Sequence, residues 1–209
     1  MAMGTTATTA AIFAAVDAFT EFPKIHRLSR DMVVTEKIDG TNAQICIGED
    51  GTVRAGSRSR WITPDEDNFG FAAWVRDNEA ELRNLGPGRH FGEWWGAGIQ
   101  RRYGLAARRF SLFNTSRWTS LLNTTDSDNT VCVECSACHV VPILRSGVFD
   151  TAVIESCLTL LGATGSAASP GFMKPEGIVV YHVASNTMFK KTLDKNDGHK
   201  GSTNRGRQQ

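Results

Sequence analysis

Apolar and polar positions recur with two different periods along this chain of 209 residues, and each change of period marks a new element. Ile12, Phe13, Val16 and Phe19 fall at helical spacing and predict a short helix over Ala11 to Phe19, stopped by Pro23. From Met32 the texture changes. Met32 to Lys37, Ala43 to Ile47 and Val53 to Ser57 read as three strands, the last two joined across Gly48-Glu49-Asp50-Gly51. Phe71, Trp74, Val75, Asn78, Leu82 and Leu85 then trace one face of a helix from about Asn68 to Leu85, broken by Gly86-Pro87-Gly88. Phe91 to Trp95 and Phe110 to Phe113 suit buried strands, Thr119 to Thr130 is a polar loop, and Val131 to Leu144 reads as extended. Asp150 is placed to cap a helix carrying Val153, Ile154, Leu158 and Leu161, with Gly162 as its end. Gly177 to Val183 and Thr187 to Leu193 form a hairpin over Ala184-Ser185-Asn186.

Strands that come in hairpins instead of alternating with helices indicate an α+β class with largely antiparallel sheets and flanking helices. With 41% hydrophobic and 22% charged residues, the length suits one domain over residues 1–193 and a polar tail over 194–209, with no separate C-terminal domain. The net charge of +1 means that any nucleic-acid contact depends on a local patch. Arg101, Arg102, Arg108 and Arg109 in "IQRRYGLAARRF" are the basic candidates, although such clusters are more often a solvated face. No apolar run reaches the roughly 18 residues of a membrane span, and the N-terminus carries Asp17 and no cationic lead. These features predict a cytoplasmic protein with no membrane partner. The odd count of five cysteines favours reduced thiols.

Candidate chemistry begins at "EKIDGTN", Glu36 to Asn42. Strand alternation puts Thr35, Lys37 and Asp39 on one side and Glu36 and Ile38 on the other. Taken alone, K-x-D-G is most often a surface lysine beside a turn. The sharper reading is a nucleophile, because a lysine whose environment supplies the free amine attacks phosphorus. Gly40 would then let the backbone approach a bound sugar.

Five further segments decide between these readings. "EKIDGTN" resembles the nucleotidyl-lysine motif of the covalent nucleotidyltransferase superfamily, which comprises DNA ligases, RNA ligases and mRNA capping enzymes. In the family's order follow "GSRSR" (Gly56 to Arg60), "FGEWWG" (Phe91 to Gly96), "FSLFN" (Phe110 to Asn114), "PEGIVVY" (Pro175 to Tyr181) and "MFKKTL" (Met188 to Leu193). Among the branches, Asn42, "GEWWG" and "PEGIVV" most resemble the RNA ligase family.

The resemblance implies a nucleotidyltransferase (ligase adenylation domain, ATP-grasp-like) fold and an ATP-dependent RNA ligase. Its cofactors would be ATP and Mg²⁺, or Mn²⁺ in its place, and its partner nicked or broken RNA ends joined 5′-phosphate to 3′-hydroxyl. It further implies Lys37 as the nucleophile that carries AMP, Glu93 on the ribose, Phe113 stacked on adenine, Glu176 at the metal and Lys190 on the α-phosphate. Glu36, Asp39, Gly40, Asn42 and Arg58 would complete the nucleotide contacts. A DNA nick ligase, or a nucleotide- or RNA-binding module without autonomous ligation, are the alternatives.

Two departures from the family's pattern accompany it. Its last motif usually presents two lysines at i and i+2, whereas Lys190 is followed by Lys191 and Thr192. Alternation sends Lys190 and Lys191 to opposite faces, Lys191 with Phe189 and Leu193. Lys190 fits the motif register, with Lys191 as the alternative, and the second cation is either missing or supplied by Lys195 or Lys200. The family also usually carries a further C-terminal domain, and a protein partner is one source of that function.

"VCVECSACHV" holds Cys132, Cys135, Cys138 and His139 and spells the C-x-x-C-H of covalent haem attachment. That attachment follows export, which nothing in the N-terminus signals. Structural zinc sites usually draw ligands from two separated clusters, and this is one. Cysteines packed in a buried strand are the expected reading.

Overall fold

Two sheets divide the chain between them, and it passes from one to the other immediately after Lys37. The structure, a computed structural model, describes residues 19, 21–118, 130–132 and 135–194. The expected N-terminal helix, but for Phe19, the polar loop up to residue 129 and the tail beyond Asp194 lie outside the described residues. In chain order the strands are β1 (Asp31–Lys37), β2 (Thr41–Ile47), β3 (Val53–Ser57), β4 (Trp61–Ile62), β5 (Gly88–Gly96), β6 (Arg108–Leu112), β7 (Thr130–Cys132), β8 (Cys135–Val140), β9 (Ile143–Val148), β10 (Gly177–His182) and β11 (Thr187–Thr192). The helices are α1 (Phe71–Asp77), α2 (Glu79–Leu82), α3 (Thr115–Trp118) and α4 (Thr151–Thr164). A four-stranded sheet runs β11-β10-β1-β9 and a seven-stranded sheet β4-β3-β2-β5-β6-β8-β7. Among the described strands the pairing is antiparallel except between β6 and β8, which run parallel.

The period-2 pattern is what buries each sheet. On β1, Met32 and Val34 face inward and join Ile178 and Val180 of β10 under Leu158 and Leu161 of α4. On β2, Ala43, Ile45 and Ile47 face α1 and α2 together with Trp94 and Phe110. Phe71 sits at the centre of that core, with no exposed area and its ring 5.3 Å from Trp94 and 5.1 Å from Phe110. A third cluster of Ile38, Trp95, Tyr103 and Val141 lies where the chain crosses between the sheets.

Three expectations need correction. The helix expected over Asn68 to Leu85 is α1, α2 and a 3₁₀ turn over Arg83–Leu85. Asn78 breaks it with φ −112° and ψ 13°, and its Nδ2 donates to the Trp74 carbonyl at 2.8 Å. The apolar stripe survives the break because Leu82 N still donates to Asn78 O, keeping the same face on the sheet. Next, α4 runs through Gly162 to Thr164 and stops at Gly165, whose φ of 86° suits glycine. A Cβ at Gly162 would stand 3.0 Å from Leu193 Cδ2, so that glycine serves packing instead of ending the helix. Finally, the extended run over Val131 to Leu144 is three strands. The chain leaves the large sheet at Val140 and enters the small one at Ile143, with Pro142, which has no N–H for a ladder, in the crossing.

The two predicted hairpins are present. Gly48 N donates to Thr52 O at 2.8 Å across a turn with Gly51 at φ 80°, and Asn186 takes φ 50° in the turn joining β10 to β11. Among the described residues no helix is long and apolar enough to cross a membrane.

Truncating Phe71 removes the ring that the other aromatics pack around. Phe71→Ala is expected to lower unfolding stability by about 3–5 kcal/mol. Phe189→Ala, at a ring 55% exposed, changes it by less than about 1 kcal/mol. Paired urea denaturation curves measure both, and equal shifts in the two variants contradict this placement of the core.

Candidate active site

Lys37 closes β1 opposite Gly177, the first residue of β10, and this pairing brings Glu176 beside it. The Lys37 Nζ donates to Glu176 Oε2 at 2.5 Å, the two side chains being 25% and 16% exposed. Ile38, Asp39 and Gly40 then carry the chain across to the large sheet. Ile38 is buried against Trp95 and Tyr103. Asp39 N donates to the Tyr103 hydroxyl at 2.8 Å, and Asp39 Oδ2 accepts from Arg101 Nε at 2.9 Å. Gly40 N donates to Glu93 Oε1 at 3.0 Å. A Cβ on Gly40 would lie 2.4 Å from the Trp94 carbonyl and 2.7 Å from Trp95 Cβ. The close approach of β5 by itself calls for glycine at this position.

Glu93 is 8% exposed and stands across the β2–β5 ladder from Asn42. Its Oε2 accepts from Asn42 Nδ2 at 2.9 Å. Burial pushes its pKa up to about 7, against the Gly40 N–H, the Lys37 charge and the Asn42 amide, which favour the carboxylate, while Glu176 adds repulsion. Lys37, Glu176, Glu93, Asn42 and Gly40 thus form one connected group.

The remaining sequence-predicted residues divide. Phe113 follows β6, and its N–H donates to Phe91 O at 2.9 Å, prolonging the β5–β6 ladder by one step. Alternation puts it on the Glu93 face, and it is 39% exposed instead of packed in the core. Arg58 is exposed in the turn after β3. Lys190 pairs with Val179 and shares the Lys37 face of the small sheet. Lys191 is on the other face, bound to Glu155 of α4. Lys195 and Lys200 lie outside the described residues.

Glu36 does not join the group. Its side chain is buried on the opposite face of β1, where it accepts from Ser166 Oγ at 2.6 Å and Ala168 N at 2.8 Å. Burial pushes its pKa up against those hydrogen bonds. Strand alternation turns this side chain away from the Lys37 face.

Tyr103 was missed in the sequence, and Arg101 was read there only as part of a basic cluster. Tyr103 is 1% exposed and its hydroxyl, raised in pKa chiefly by burial, holds the Asp39 backbone. Arg101 binds Asp39, the Lys174 carbonyl at 3.2 Å and Asp194. Arg108 donates to the Ala97 and Phe69 carbonyls at 3.0 and 2.8 Å. These two members of the basic run tie loops together instead of forming a free cationic face. No periodicity signals this, because Arg102 and Tyr103 take φ of 60° and 51° in an irregular loop. Cys135 and Cys138 are fully buried in the core of the large sheet, while the Cys132 side chain lies outside the described residues.

Among the described residues no group of three or more metal-ligating side chains occurs. The half-buried Glu176 carboxylate is a hard oxygen donor on the Lys37 face, which fits a cation such as Mg²⁺ that keeps much of its coordination as water and substrate phosphate.

A family model described as RNA ligase matches residues 30–192. No curated protein matches significantly. Solved structures of Naegleria gruberi RNA ligase are similar in fold. An apo mutant is 21% identical with a TM-score of 0.55, covering 78% of this chain and 50% of that one. A mutant with AMP and Mn is 20% identical with a TM-score of 0.55, covering 79% and 50%. The form with PPi is 22% identical with a TM-score of 0.53, covering 78% and 50%. The chain thus spans about half the length of these structures.

An acid whose pKa rises on folding stabilises the fold while protonated, and that contribution disappears as pH climbs through the folded value. For Glu93 the window runs from its ordinary 4.5 to about 7. Stability of wild type relative to Glu93→Gln is therefore expected to fall by up to about 3 kcal/mol between acid and mildly alkaline pH. Denaturant unfolding of both proteins at several pH values measures this, and a difference independent of pH contradicts it.

Proposed function

The chain belongs to the RNA ligase family, and from that premise we propose that it is an ATP-dependent RNA ligase acting through a covalent lysyl-AMP on Lys37. The observation that carries the reading is the Lys37–Glu176 contact of 2.5 Å beside the buried Glu93. A primary amine and two carboxylates converge where the two sheets meet, and a phenylalanine is exposed on the Glu93 face. That set suits a nucleotide whose base stacks on Phe113, whose ribose hydroxyls donate to Glu93 and whose α-phosphate reaches Lys37. Asn42 and the exposed Arg58 would make sugar or phosphate contacts, and Lys190, on the Lys37 face, would add its charge at the α-phosphate.

An ammonium held by a carboxylate has no lone pair to give, so Lys37 acts only after leaving Glu176 and releasing a proton to solvent. Its Nζ then bonds to the α-phosphorus of ATP while the bond to the bridging oxygen breaks and pyrophosphate leaves. A 5′-phosphate oxygen of the RNA next attacks the same phosphorus, returning the free lysine. The 3′-hydroxyl of the other end attacks the 5′-phosphorus, AMP leaves, and a phosphodiester remains. Lys190 offsets charge growing on the phosphoryl oxygens during the first two transfers. Once free of Lys37, Glu176 would hold the divalent cation, Mg²⁺ or Mn²⁺, which when bound neutralises phosphate charge. The AMP, Mn and PPi of the similar Naegleria structures favour this choice of nucleotide and metal.

The faces of β11 make the two adjacent lysines unequal. Lys190→Ala is expected to slow transfer of label from α-labelled ATP to protein by about 100-fold or more. Lys191→Ala stays within about threefold. Equal losses contradict the assignment. With loaded wild-type protein, joining of RNA 3′-hydroxyl ends is expected, and sealing confined to DNA nicks overturns the RNA reading.

A further inference from the structure

Beyond the nucleotide pocket, the Glu93 face of the large sheet continues outward in an ordered way. Strand register places Trp61 of β4 beside Gly56 of β3, Gly56 beside Gln44 of β2, and Gln44 beside Phe91 of β5. One step further from Glu93, Arg54 of β3 and Arg89 of β5 flank Cys46. Trp61 and Phe91 are 36% and 52% exposed, large apolar surfaces that the fold leaves open. The Arg54 guanidinium carbon lies 4.2 Å from the Trp61 ring centroid and that of Arg89 5.6 Å from it.

In the middle of this row one side chain covers two positions. Gln44 lies across Gly56, where a Cβ would come within 2.8 Å of Gln44 Cγ. Arg89 Nη1 reaches the Gln44 amide oxygen at 3.4 Å. The result is a strip in which both guanidinium groups lie against the Trp61 ring, with the Gln44 amide beside them and Phe91 at the far end of the row. Adjacent strands lie about 4.8 Å apart, so the backbones at Trp61 and Phe91 are about 14 Å apart, and the row begins about 7 Å along the strand from Glu93.

We propose that this strip binds unpaired nucleotides of the RNA next to the end being sealed. Bases would stack on the Arg54–Trp61 pair and on Phe91, with phosphates against Arg54 and Arg89. Stacking planes beside arginines are the chemistry that single-stranded nucleic acid requires, since every base has a π-face and every linkage a charge. An acidic peptide would need the cations but not the rings. A duplex would keep its bases from the rings. The proposal rests on the RNA ligase reading for its substrate, yet its test does not depend on catalysis.

The experiment is fluorescence anisotropy of a short labelled single-stranded RNA with a 5′-phosphate, at fixed salt, run beside transfer of AMP to the protein. Trp61→Ala is expected to weaken RNA binding by about 5- to 100-fold, the range for one base stack. Trp61→Phe keeps most of the affinity. Across a salt series, Arg54→Gln with Arg89→Gln lowers the slope of log affinity against log salt by about 0.7 for each phosphate the protein no longer neutralises. AMP transfer stays at the wild-type rate in all of them. Wild-type affinity in Trp61→Ala overturns the proposal, as does wild-type protein that fails to bind the strand. Loss of AMP transfer in Trp61→Ala overturns it too, by assigning the ring to the nucleotide pocket. Should wild type take up no AMP while Trp61→Ala still loses RNA affinity, the ligase reading fails and the strip stands.

Discussion

Three residues, Ile38, Asp39 and Gly40, lead from the last position of β1 to the first of β2, and the site exists because that crossing is so short. It leaves Lys37 on the small sheet and Asn42 on the large one with no room for the sheets to separate between them. Each residue of the crossing is pinned differently. Ile38 is buried with Trp95 and Tyr103, Asp39 is held by Tyr103 and Arg101, and Gly40 lies against the backbone of β5. The Lys37–Glu176 contact follows from the β1–β10 register, and the Gly40–Glu93 hydrogen bond from the fit of the turn onto β5.

Electrostatics sharpens that geometry. Glu93 is buried far enough that its charge costs free energy, and the donors around it only partly offset the loss of water. A pocket holding such a group favours a ligand that brings further donors, which ribose hydroxyls do. Glu36, one residue before Lys37, is also buried with a raised pKa, but its partners are Ser166 and Ala168. It anchors the 166–168 loop to the small sheet on the side away from the lysine. Two acids on the strands that meet at this crossing therefore do different work, and the pleat alone keeps Glu36 off the lysine's face.

Much of this was legible in the chain. Period-2 patterning located the strands and separated Lys190 from Lys191, because alternation depends only on neighbouring residues. Six ordered motifs pointed to the family. Long-range packing was harder to read. Nothing in the apolar spacing announces that Asn78 breaks the stripe, and Pro142 marks an interruption without saying that the chain changes sheets there. Arg101 looked like part of a solvated run, yet it spans the Asp39 turn, the Lys174 carbonyl and Asp194 through a loop whose left-handed residues Arg102 and Tyr103 carry no glycine signature. The need for glycine at position 40 was expected, but its cause, β5, became visible only with the fold.

The most direct test of the central claim is intact-protein mass spectrometry with peptide mapping, after stripping with pyrophosphate and incubation with ATP and Mg²⁺. A single added AMP located on Lys37, and absent from Lys37→Ala, is the predicted result. No adduct, or an adduct that persists on another lysine when Lys37 is removed, contradicts the account of how this site is built.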